Sequence, residues 1–152
     1  MGFTNGVPEY GLHDKLWPDE IARKFWKFFK AMIDNMLWED LDYVIEGEAI
    51  LPELVFKLIN QHPKKIRIVF VGYTDIGVAE KVRLVKKFSD GENDWLTKES
   101  EDYINDHISN MVSYSNMIKK ECDRYGLPYF DTSRDFLAGI DEATAYLMDE
   151  MT

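Results

Sequence analysis

Lys65-Ile-Arg-Ile-Val-Phe-Val-Gly72 is a nearly unbroken apolar run, and it constrains the fold more than any other segment. A half-buried strand alternates apolar with polar residues. A run this continuous belongs to a strand covered on both faces, as in parallel sheets flanked by helices. Two further short strands are expected: Asp42–Glu48, with a β-branched and aromatic centre ending in carboxylates, and Leu127–Asp131. Helical patterns separate them. Pro18, followed by Asp19 and Glu20, opens a helix in which Ile21, Phe25, Phe28, Phe29, Met32, Ile33, Met36 and Leu37 recur at helical spacing as far as Trp38. Trp26 broadens that apolar face, which is either core covered on more than one side or a surface for a partner. Further helices are expected from Pro52 to about Gln61, from a cap at Asp75 to about Phe88, and from about Thr97 to Tyr125. A last one runs from the Asp131–Asp135 turn to about Met148. Gly126 and Pro128 stop the long helix, along which Ile104, Ile108, Met111, Ser115, Ile118, Cys122 and Tyr125 form one stripe. Ser89–Asn93 reads as a loop. Strands alternating with helices predict an α/β fold with a parallel sheet. Ligands in such sheets gather at the carboxyl ends of the strands, which here carry Glu46–Glu48, Gly72–Asp75 and Asp131–Arg134.

The 152 residues suit one domain, 1–152, with an irregular lead-in over 1–17 and the α/β portion over 18–150. Apolar residues make up 45% of the chain, enough to build a core without disulfides or metal. Charge is lopsided, with 18 basic against 28 acidic residues and a net charge of −10. Such a surface repels phosphate backbones and anionic lipid, so neither nucleic acid nor membrane is expected as a partner. No apolar run approaches the roughly 18–20 residues of a membrane span, and the first ten residues lack the pattern of a signal peptide. The single cysteine, Cys122, lies on the apolar stripe and reads as inert core; it fits a reducing compartment, and a cytoplasmic location is expected. His13, His62 and His107 form no metal-binding pattern, no metal centre is expected, and G-x-S-x-G is absent.

Three stretches in order carry a resemblance. They are Tyr43-Val-Ile-Glu-Gly-Glu48 followed by Leu51-Pro-Glu-Leu-Val55, then Val69-Phe-Val-Gly-Tyr-Thr-Asp-Ile76 leading to Lys81 and Arg83, then Cys122-Asp-Arg-Tyr-Gly-Leu-Pro-Tyr-Phe-Asp-Thr-Ser-Arg-Asp-Phe136. Over Pro18–Leu147 the chain resembles the later part of small P-loop kinases, of the adenylate-kinase-like and zeta-toxin or chloramphenicol-phosphotransferase-like kinds. The resemblance implies a three-layer sheet of which this chain holds about three strands and five helices. It also implies ancestry in ATP- or GTP-dependent, magnesium-assisted transfer to a small-molecule hydroxyl. The sequence has no G-x-x-x-x-G-K-[ST] loop to cradle the phosphates, so the expected protein is a truncated kinase-like one, not competent alone. In the family the strand before that loop lies between those matching Tyr43–Glu46 and Lys65–Gly72. Without it, these two either pair directly or leave open edges, so rearrangement, dimerisation or strand exchange is expected. The expected partner is a second copy or a complementing chain that bears the P-loop. A non-catalytic, dimerising interaction module is the alternative.

Site residues follow from the same resemblance. Glu46 and Glu48 match carboxylates that order magnesium or the attacking hydroxyl; as bare sequence they equally end a strand in solvated acids. Arg83, with Lys81, Lys86 and Lys87, matches the lid region, where basic groups neutralise the transferring phosphate; Lys and Arg on an amphipathic helix are also an ordinary solvated face. Asp131, Thr132 and Ser133 match the turn that holds the nucleotide base, or else cap the following helix. Trp95, after an acidic loop, either shields a lid or pins it to the body.

Overall fold

The computed structural model describes residues 11–12, 16–39, 42–89 and 94–149. Most of the lead-in, His13 and 90–93 of the expected loop lie outside them. The chain divides into two compact units, Met1–Ile66 and Arg67–Thr152.

In the first unit, α1 (Pro18–Trp38) begins where the sequence predicts, with Pro18 at its first position and the Glu20 carboxylate accepting from the Trp17 amide at 3.0 Å. Its apolar face is only partly covered. Ala22 is buried, whereas Phe25, Phe28 and Met32 are 40%, 51% and 41% exposed. Helix α2 (Pro52–Gln61) has the expected bounds and buries Leu54, Val55 and Leu58, three residues on one helical face. Arg23 of α1 pairs with Glu53 at the start of α2. Eleven residues further along α1, Asp34 meets His62, the C-cap of α2, at 3.3 Å, so polar side-chain contacts link corresponding ends of two helices running the same way. Lys30 donates to both Asp34 oxygens, which holds that carboxyl below its ordinary value.

The second unit holds β1 (Phe70–Gly72), α3 (Val78–Phe88), a single 3-10 turn at Leu96–Lys98, α4 (Glu101–Tyr125), β2 (Tyr129–Asp131) and α5 (Phe136–Met148). Val82, Leu96, Ile104 and Ile108 form its core cluster, flanked by Val78, Val85 and Val112. Helix α4 starts where the Ser100 hydroxyl accepts from the Tyr103 amide. It ends at Gly126 in the left-handed region (φ 64°), the stop that the glycine predicts. Four of the seven stripe residues, Ile104, Ile108, Ile118 and Cys122, are buried. The strands pair in parallel, Phe70 with Tyr129 and Gly72 with Asp131. Gly72 and Tyr129 meet Ser115 of α4 on one face, and on the other Phe130 packs against Tyr146 of α5 at 5.9 Å between ring centroids.

The expected α/β fold is overturned. Of the described residues 64% are helical and 5% lie in strands, and the sheet has two strands where an incomplete three-layer arrangement with about three was expected. Tyr43–Glu46 forms no strand, and Val44 is 97% exposed. Of Lys65–Gly72 only the last three residues pair. Valine, isoleucine and tyrosine favour strands through cross-strand packing, so without a neighbour their preference leaves an extended segment and no ladder. Asp75 does not cap α3, which starts after Gly77. The long helix begins at Glu101, four residues later than predicted. No helix among the described residues is long and apolar enough to cross a membrane.

Candidate functional site

The carboxyl ends of β1 and β2 are joined by a knot of polar groups. Gly72 and Asp131 are register partners, so the segments that follow, Tyr73-Thr74-Asp75 and Thr132-Ser133-Arg134, leave the sheet side by side. The Gly72 carbonyl accepts from both the amide and the hydroxyl of Thr132, at 2.8 and 3.0 Å. One Asp131 oxygen accepts from the Ser133 amide at 2.8 Å, the other from the Thr74 amide at 3.0 Å and from the Thr74 hydroxyl. The Asp75 amide in turn donates to the Ser133 hydroxyl at 2.9 Å. Burial pushes the Asp131 carboxyl up, but the donors on Ser133 and Thr74 outweigh it and hold the group below its ordinary value. Arg134 closes the cluster through Nε and Nη2 on one Asp75 oxygen, at 3.0 and 2.7 Å. Asp75, Asp131 and Arg134 line an open hollow of about 280 Å³.

The sequence names Asp131, Thr132 and Ser133, and the structure brings them together with Thr74, Asp75 and Arg134. Capping is not their role. The cap of α5 is Asp135, whose side chain accepts from the Ala138 amide. Thr74, Asp75 and Arg134 fall in the strand-end stretches that the sequence singles out, Gly72–Asp75 and Asp131–Arg134, without being named there as site residues. The available signal was the matched pair of polar endings, Gly-Tyr-Thr-Asp and Asp-Thr-Ser-Arg, behind two apolar strands. Glu46 and Glu48 lie in Met1–Ile66, exposed and outside regular structure. Arg83 is on the surface of α3, held by both Glu80 oxygens at 2.9 and 2.6 Å. Lys86 pairs with Glu101. Lys81 instead folds over the Tyr73 ring, 3.7 Å from its centroid, and burial lowers its pKa. Trp95 packs edge-on against Tyr103 and His107, so it is pinned to α4. No group of three or more His, Cys, Asp or Glu among the described residues is placed to hold a metal ion.

Comparison with protein-family models, with curated proteins and with solved structures finds no match to this chain.

Proposed function

We propose that this chain works by association, as a non-catalytic interaction module that takes a partner on the outer edge of β1. One observation carries the reading. Phe70 and Gly72 make the bonds to β2, through the Phe70 amide on Pro128 and the Gly72 carbonyl from Thr132. In a parallel ladder that alternation turns both backbone groups of Val71 away from β2. Among the described residues no strand pairs with that edge, and Val71 is 44% exposed. An unpaired apolar edge is a template for another strand. Light scattering of the purified chain across micromolar concentrations tests this. A dimeric mass is expected, and a monomer up to about 100 μM, weaker than about 5.5 kcal/mol of association, sinks the reading.

A second reading keeps the kinase-like ancestry and rests on the strand-end hollow. Two carboxylates facing one guanidinium give it a net negative lining, unsuited to a polyphosphate and better suited to a base or sugar hydroxyls. Calorimetric titration with MgATP and MgGTP checks it. One-site binding tighter than about 100 μM supports a nucleotide-binding phosphotransferase relative, and silence with both removes it.

A further inference from the structure

Among the described residues, the chain that leaves a strand edge open also leaves a strand-like segment with no paired strand. Tyr43, Val44 and Ile45 are three strand formers in sequence, held in no regular structure, and 44%, 97% and 37% exposed. Among the described residues the segment's side-chain hydrogen bond is local, from the Tyr43 hydroxyl to Glu39 at 2.7 Å. Carboxylates flank it, with Asp42 before and Glu46 and Glu48 after. The chain running into β1 carries the opposite charge, with Lys64, Lys65 and Arg67. An acid-flanked apolar segment and a base-flanked apolar edge are complementary in both hydrogen bonding and charge.

We infer that Tyr43–Ile45 of one copy adds as a strand to the outer edge of β1 in a second copy. This rests on the association reading above and names its partner and its segment. Each copy donates one segment and accepts one, so the exchange between two copies is reciprocal. Val44, almost fully exposed in the single chain, gains a neighbour, and the Val71 amide and carbonyl gain partners.

The test mixes two singly substituted chains. One carries cysteine at Tyr43, Val44 or Ile45 in turn, and the other carries Val71→Cys. Cys122 is fully buried with its thiol pushed up to about 12, so it stays out of the exchange. Mild oxidation of the mixture is expected to link position 71 of one chain to one of the three positions of the other, read by mass spectrometry of peptides. Val44→Asp places a charge on a side chain with nothing to lose in the single chain, and is expected to weaken dimerisation at least tenfold. A dimeric mass with no link from any of the three positions, or unchanged dimerisation in Val44→Asp, overturns the segment while leaving association standing. A monomeric mass overturns both.

Discussion

The Tyr129 hydroxyl lies against the α-carbon of Gly72, where any side chain would overlap it. The phenol crosses the sheet from the neighbouring strand and ends buried beside the Ser115 hydroxyl of α4. Burial, reinforced by the Asp131 charge, raises its pKa. Glycine at position 72 is therefore set by space, since its backbone is an ordinary strand.

Gly72→Ala should destabilise the chain by about 1–3 kcal/mol, because the methyl meets the phenol and has nowhere to go. For a chain this size each kcal/mol lowers Tm by about 2–4 °C. Tyr129→Phe alone should cost no more than about 1 kcal/mol, the net worth of one weak contact with Ser115. Combined with Gly72→Ala it should recover part of the loss. Thermal melts of the three variants decide this, and an undamaged Gly72→Ala would mean that the phenol moves freely.

Asp131 should make stability fall in acid. Its folded pKa is below the ordinary value of 3.8, so its contribution is present at neutral pH and lost as the pH drops through that range. Asp131→Asn should cost about 1 kcal/mol at pH 7, modest because the group is partly solvated. The gap between variant and parent should be narrower at about pH 3 than at pH 7. Urea midpoints at the two pH values measure it, and a gap independent of pH would contradict the charge-dependent part of the knot.

The helix ends make a graded series. Ser100→Ala and Asp135→Ala each remove a side chain that accepts from a first-turn amide, and each should cost about 1 kcal/mol. Gly126→Ala should cost a similar amount for a different reason. There is open space around its α-carbon, but φ is +64°, so the penalty is backbone strain alone. Gly126→Asn should then recover part of it, since asparagine tolerates that region better. Equal losses for Ala and Asn in denaturant titrations would point elsewhere.

Cys122 should resist thiol reagents while the chain is folded. Its exposure is 0%, and burial, with the Asp123 charge adding to it, pushes the thiol up to about 12. Labelling by an aromatic disulfide at pH 8 should appear only with denaturant, in step with the loss of helical signal. Rapid labelling of the native chain would show that α4 opens locally.

Local patterns were legible where a helix depends on its own residues. The bounds of α2, the stop at Gly126 and the burial of Ile104, Ile108, Ile118 and Cys122 all follow from spacing and glycine chemistry. Strands were legible only in part: β1 and β2 fall inside the stretches expected and pair in parallel, but a ladder needs a second partner that the sequence does not name. Tyr43–Glu46 has the composition of a strand but no paired strand among the described residues; Ile66–Val69 leads into β1 yet lies outside regular structure. For the candidate site, position was legible and purpose was not. Asp131, Thr132 and Ser133 look like caps because their side chains suit that role. Whether they bond forward into a helix or sideways to Thr74 and Asp75 depends on register across the sheet.

The knot between Thr74 and Asp131 also fixes an order of assembly. Those residues are 57 positions apart, and α3 and α4 lie in the intervening chain. Closing such a loop for three residue pairs of ladder costs more entropy than the first bonds return. The helices, whose contacts are local, must therefore form and dock before the strands can meet. In a refolding experiment with pulsed hydrogen exchange, the amides of Ile108–Ile118 should gain protection earlier than those of Phe70 and Thr132. Until that last step, both apolar strands stay exposed, and a nascent chain is most vulnerable to sticking to its neighbours in that interval.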